Sequence, residues 1–284
     1  MYSEYDEMMF EITQVDVDSK GFTPHPTTDA TSKAIMQDLY ERMKVDIGYT
    51  GVELESRKPI IRTQETNFPN LMADLIRTEY LTDFGFVNMG AIRLDDVIPV
   101  GTFTHLTMQE MLPYPDVMTV LEVPGSIIKE ALEHSVSYYP LAEGNWLAVS
   151  GLKFTFDASK PAGERIKPED IKLLSGESIN LDTRYTMAVN SYVGTGGDGY
   201  ECFTKPEVKL LVDPENTAGL IEMLLQFLKK TSTTYTVKPA NEEKRQIRLG
   251  LFNTSSTNPE DVSPDGEWLI IRPQVDGRIT ILKN

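Results

Sequence analysis

Two arginines, an asparagine, an aspartate and two tyrosines stand in four short stretches that together suit an anionic, aromatic ligand: RTQETNFPNL (62–71), NMGAIR (88–93), MLPYPD (111–116) and SYVGTGGDGY (191–200). Arg62 and Arg93 offer planar guanidinium forks, which match a phosphate better than a lysine does. Asn88 can donate and accept at once, and Asp198 can accept from both hydroxyls of a ribose. Tyr114 and Tyr192 present flat faces to a heterocyclic base, at about 1–3 kcal/mol per stacked base.

The glycines of the last stretch, Gly194 to Gly199, also satisfy G-x-G-x-x-G, the spacing of a dinucleotide-binding turn. That turn needs a strand before it and a helix after it to receive a pyrophosphate. RYTMAVN (184–190) supplies the strand. ECFTKPEVKLLVD does not supply the helix, because Pro206 interrupts it and VKLLV is strand-like. A dinucleotide-dependent oxidoreductase is therefore disfavoured. The loop instead brings backbone at Gly196 close to a ligand, with Asp198 and the tyrosines beside it.

Composition narrows the partners further. A formal net charge of −16, from 43 acids and 27 bases, argues against binding nucleic acid or anionic lipid. Cys202 is the single cysteine, so an intrachain disulfide is impossible and packing is its expected role. No membrane segment is expected, since no eighteen apolar residues occur together. The three histidines, His25, His105 and His134, lack the clustered spacing of a two-metal site and read as structural.

The elements that must position these residues alternate without a strict βαβ rhythm, which predicts an α+β domain: a mixed sheet flanked by helices. Residues 1–30 read as a linker and 31–46 as an amphipathic helix ended by Gly48, a connector over 31–48. The body spans 58–284. Asn67 is placed to cap a helix carrying Leu71, Leu75 and Ile76. FGFVN (84–88), VMTVLEV (117–123) and WLAVSGLKFTFD (146–157) read as strands, and Pro124 opens a helix with Ile128, Ala131, Leu132 and Ser135 on one face. Asp213 starts a helix through LLQFLKK, and WLIIRP and RITIL close the chain as strands. Residues 231–266, rich in Thr, Ser, Asn and charge, read as a surface insertion.

In this order, Arg62, Glu65-Thr66-Asn67, Asn70-Leu71, Asn88 through Arg93, Leu112-Pro113-Tyr114, Ser150-Gly151 and Gly196-Gly197-Asp198-Gly199-Tyr200 resemble the C-terminal domain of the 5'-nucleotidase / UDP-sugar hydrolase family, as does the closing GRITIL. The resemblance covers roughly residues 30–284 and implies that family's fold. It also implies a substrate-binding role, with Arg62 and Arg93 on phosphates, Asn88 and Asp198 on polar groups including the ribose, Tyr114 and Tyr192 clamping the base, and Gly90 and Gly196 among the substrate-binding residues. The family usually has phenylalanine in the clamp. NFPNL replaces Asn-Leu-Gly-Asn-Leu, and NMGAIR lacks two of the usual glycines.

Family enzymes hydrolyse nucleotides with two divalent metals in an N-terminal metallophosphoesterase domain. Its Asp-x-His, Gly-Asn-His-Asp/Glu and Gly-His-x-His motifs do not occur here. The expectation is thus a nucleotide-binding domain, inactive alone, whose metal-bearing partner lies on the same polypeptide and precedes it, residues 1–30 being the tail of that partner. Export to the periplasm or cell surface is what the family implies. A non-catalytic, stand-alone nucleotide-binding or interaction module is the alternative.

Overall fold

In the computed structural model, residues 23–232 and 270–282 are described; most of the expected 231–266 insertion and the first 22 residues lie outside them. The chain divides into two units, residues 1–43 and 44–284. In the first, helix α1 runs Pro26–Met43. It starts five residues before the expected connector helix, with proline where a first-turn N–H has no acceptor to lose. None of its side chains is buried, and Lys33–Asp29 and Arg42–Asp38 ion pairs one turn apart line it.

The second unit begins with strands β1 (Asp46–Thr50) and β2 (Leu54–Glu55), a one-turn helix α2 (Lys58–Ile61) and the long helix α3 (Asn67–Tyr80). Gly48, expected to end a helix, lies inside β1, where a Cβ would sit 2.7 Å from the Phe103 ring. Next come β3 (Phe84–Asn88), β4 (Val97–Ile98), β5 (Gly101–Thr104), α4 (His105–Met111), β6 (Met118–Pro124) and α5 (Gly125–Ser135). The rest comprises β7 (Leu147–Ser150), β8 (Leu152–Asp157), β9 (Ile171–Leu173), β10 (Arg184–Asn190), α6 (Ser191–Gly194), β11 (Lys209–Val212), α7 (Leu220–Ser232), β12 (Ile270–Ile271) and β13 (Ile279–Leu282).

The central sheet has the order β11-β6-β10-β3-β7. Only β3 and β10 within it run parallel; their neighbours are antiparallel. The expected α+β fold is what forms, with α3 lying against β3 and β7 and α5 against β6. Phe84, Phe86, Val120, Val149, Met187 and Val189 are all buried, as strands covered on both faces require. Smaller sheets, β12-β1-β5, β13-β8-β9 and the pair β2-β4, surround it.

Three local expectations change. WLAVSGLKFTFD is two strands in different sheets, because Gly151 takes φ +90° at a point where any Cβ would strike the Asp83 carbonyl. Asp213 caps a separate 3₁₀ turn, Pro214–Asn216, by accepting from the Glu215 N–H, and α7 starts only at Leu220. Thr66, not Asn67, stands at the N-cap of α3; Asn67 is the first helical residue, accepts from the first-turn Phe68 N–H at 2.8 Å and the Glu55 N–H at 3.1 Å, and donates to the Glu53 carbonyl at 2.7 Å, tying β2 to the helix start.

The C-terminal strand is fastened by a partly buried charge network. Arg278 donates to both oxygens of Asp74 at 2.7 Å each. The Ser150 hydroxyl donates to Asp74 at 2.5 Å and accepts from Arg77 at 2.7 Å. Burial works against the Arg278 charge, but the bonds to Asp74 and Asp276 outweigh it and push its pKa up. Glu65 accepts from Asn70, the Asp276 N–H and the Ile279 N–H. Glu65, Asn70, Ser150 and Gly151, part of the family-like pattern, therefore hold the fold together at this seam.

Candidate functional site

FGFVN and RYTMAVN both end in asparagine, and because β3 and β10 are parallel neighbours those asparagines emerge side by side. Carboxyl ends of adjacent parallel strands are where open sheets bind ligands. Asn88 and Asn190 are buried, 2% and 3% exposed. Asn190 Nδ2 donates to Asn88 Oδ1 at 2.9 Å, and Asn88 Nδ2 donates to Asp198 Oδ2 at 2.6 Å. Asp198 Oδ1 accepts from the Tyr192 hydroxyl at 3.1 Å.

The glycine loop exists to deliver Asp198 to this point. After α6 the chain turns through Gly196 at φ +98°, Asp198 itself at φ +52° and Gly199 at φ +84°. Aspartate tolerates that left-handed geometry better than most side chains. A Cβ on Gly199 would lie 2.8 Å from the His134 ring. His134 Nε2 is 2.7 Å from the Asp198 carbonyl, which can only accept, so Nε2 carries the proton. His134 also meets Tyr200 edge-on at 4.6 Å, and the Tyr200 hydroxyl donates to the Asn145 carbonyl. The histidine's structural role is thus to clamp the loop. Cys202 packs behind it, with burial raising its thiol pKa to about 12.

Gly90 forms the floor. A Cβ there would be 2.8 Å from Asn88 Nδ2 and 3.0 Å from Asp198 Oδ2, so only glycine leaves the Asn88–Asp198 bond intact. Its N–H donates to the Gly144 carbonyl at 2.8 Å, bringing the 142–144 loop alongside.

The arginines stand close enough to this group for Arg62 to feel the charges of Arg93 and Asp198. Arg62 Nη1 reaches the Ala142 carbonyl at 3.3 Å, while its buried Nε has no hydrogen-bond partner. Burial, then the like charge of Arg93, lowers the Arg62 pKa against the pull of Glu143, Asp198 and Asp95. Arg93 donates to the Tyr114 hydroxyl at 2.9 Å, with its guanidinium carbon 5.2 Å from the ring centroid. Tyr114 and Tyr192 are both about half exposed. Asp116 lies at the far side: burial raises its pKa, Asn190 offsets this through a hydrogen bond, and Asp198 adds like charge.

Of the eight residues singled out from the sequence, Asn88, Gly90, Tyr192 and Asp198 meet directly, Gly196 turns the loop that carries Asp198, Arg93 bonds Tyr114, and Arg62 feels the charges of Arg93 and Asp198. Asn190, Asp116, His134 and the 142–144 loop were not among them. The signal for Asn190 was present as a second strand ending in Val-Asn.

Among the described residues no group of three or more His, Cys, Asp or Glu side chains stands where it could hold a metal ion. These residues therefore do not fit the two divalent metals that the family implies. No described helix is long and apolar enough to cross a membrane.

A family model described as 5'-nucleotidase, C-terminal domain, matches residues 46–205. The chain is 33% identical over 165 residues to the trifunctional nucleotide phosphoesterase protein YfkN of Bacillus subtilis (strain 168), covering 56% of this chain and 11% of that protein. It is 28% identical over 185 residues to the snake venom 5'-nucleotidase of Macrovipera lebetinus, covering 59% of this chain and 45% of the other. The crystal structure of a 5'-nucleotidase precursor from Thermus thermophilus has the same fold, with a TM-score of 0.69 and 24% identity over 91% of this chain and 43% of that one. The chain spans less than half the length of each of these relatives.

Proposed function

Because the chain belongs to the family of 5'-nucleotidase C-terminal domains, we propose that its cleft holds a nucleoside or nucleotide for a metal-dependent phosphohydrolase of nucleotide catabolism. Arg62 and Arg93 take the phosphate, Asp198 and Asn88 the ribose and neighbouring polar groups, and Tyr192 and the free face of Tyr114 the base. Two divalent metals and the hydrolytic step belong to a metallophosphoesterase domain of the same polypeptide. With a venom 5'-nucleotidase among its relatives, the full-length polypeptide is proposed to work outside the cytoplasm.

The observation that carries this is the pair of arginines. Arg62 is partly desolvated, its Nε is unpartnered, and Arg93 repels it. Neither guanidinium forms an ion pair with a described carboxylate. Two such cations held together are stabilised by an anion that bridges them. Calorimetry on the whole chain tests this: AMP should bind on the order of tenfold tighter than adenosine, and Arg62→Ala should erase the difference. Equal affinities of the wild-type chain for AMP and adenosine would contradict it, as would metal-stimulated phosphate release by the purified chain alone.

A further inference from the structure

The proposed ligand contacts leave out Asn190, yet its position decides how they are presented. A carboxamide has one acceptor oxygen and one nitrogen with two hydrogens. Asn190 Oδ1 accepts from the Val193 main-chain N–H at 3.2 Å, capping α6. A main-chain N–H can only donate, so the Asn190 oxygen must face it and the nitrogen must face away. That nitrogen donates to Asn88 Oδ1 at 2.9 Å, and Asn190 also lowers the Asp116 pKa that burial raises. With its oxygen so engaged, Asn88 turns its own nitrogen to Asp198 at 2.6 Å. Each link dictates the next.

We propose that Asn190 is a positioning residue: it fixes the orientation of the Asn88 carboxamide, so that a ligand meets an Asn88 N–H beside the Asp198 carboxylate and never the amide oxygen. The cleft then favours a ligand with an acceptor at Asn88 and a donor at Asp198. Asn190 and the Asp198 carboxylate select the same orientation of Asn88 from its two sides, and without the Asn190 donor Asp198 alone would hold it. The ligand part of this rests on the proposed cleft function; the orientation of Asn88 does not.

Asn190→Asp separates the possibilities. Aspartate caps a helix as well as asparagine, so a residue that merely caps α6 should tolerate the change. The introduced carboxylate cannot donate, however, so Asn88 then stands between two acceptors, and whichever way it turns its oxygen faces a carboxylate. The readouts are the Asn88 side-chain amide protons in a ¹⁵N–¹H spectrum of the whole chain, the melting temperature and the affinity for adenosine. In Asn190→Asp the Asn88 amide resonances should move and lose exchange protection, the melting temperature should fall by on the order of 5 °C, and adenosine affinity should drop about tenfold or more.

Adding Asp198→Asn supplies a donor on that side, so that Asn88 can turn its nitrogen to residue 190 and its oxygen to residue 198, and should restore protection and melting temperature. Adding Asp116→Asn removes the same charge elsewhere and should leave Asn88 unprotected. Unchanged Asn88 resonances in Asn190→Asp would overturn the proposal in favour of a simple cap. Equal recovery of Asn88 protection by both second substitutions would overturn it in favour of charge repulsion. If adenosine fails to bind the wild type, the cleft function falls, while the amide spectra still decide the orientation.

Discussion

Asp198→Asn isolates the carboxylate at the centre of the cleft. Alanine would be a poorer probe: it strips the partner from Asn88 at 2.6 Å and from Tyr192 at 3.1 Å, and leaves a non-glycine residue at φ +52°. Asparagine has the same shape and accepts that backbone geometry. Its oxygen can still accept from Asn88 and its nitrogen can donate to the Tyr192 hydroxyl, so the melting temperature should change little. What disappears is the charge and one acceptor. If the carboxylate receives both ribose hydroxyls, adenosine should lose about 1.5–3 kcal/mol, roughly 10- to 150-fold, the difference expected for hydrogen bonds to a charged acceptor. 2'-Deoxyadenosine, with one hydroxyl fewer, should lose about half as much in free energy. Calorimetric titration of both nucleosides, with melting curves in parallel, reads this directly. Equal losses for the two ligands at an unchanged melting temperature would refute the ribose contact.

Tyr192→Ala should weaken nucleoside binding by about 1–3 kcal/mol through lost stacking, measured by calorimetry, whereas Tyr192→Phe should keep the stack and lose only the bond to Asp198. Arg278→Ala should destabilise the chain by about 2–3 kcal/mol in denaturant unfolding, because it leaves the partly buried Asp74 carboxylate with only the Ser150 hydroxyl in place of its bidentate partner. Asp116→Asn should gain stability at neutral pH. Burial holds the folded-state pKa of Asp116 above its usual 3.8, so the wild type loses stability as pH rises through that raised value. Melting curves across pH should show the variant's advantage growing from acid to neutral.

The cleft was legible in the sequence because its chemistry is concentrated at element ends: Arg62 after a short helix, Asn88 and Asp198 after strands, and glycines where the chain turns tightly. What the sequence concealed depends on pairing over long separations. Asn190 matters only because β10 lies parallel to β3, about a hundred residues earlier, and no local period announces that neighbour. Gly151 broke an apparently continuous strand because the obstacle, the Asp83 carbonyl, belongs to another segment. The α1 start was displaced because surface helices with no buried face are set by caps and local ion pairs, and apolar spacing at 31–46 was a weaker guide than Pro26. Glu65, Asn70 and Ser150 stood in the family-like pattern with no role that spacing could assign; Arg278, Asp74 and the closing strand, distant in sequence, supply it.

The claim that the ends of β3 and β10, with Arg62 and Arg93, form a nucleotide grip is tested most directly by titrating the ¹⁵N-labelled chain with AMP. Saturable shifts should be confined to the amides of residues 62–63, 88–93, 112–114, 142–144 and 190–200. An unchanged spectrum at millimolar AMP, or shifts that cluster away from these residues, would contradict it.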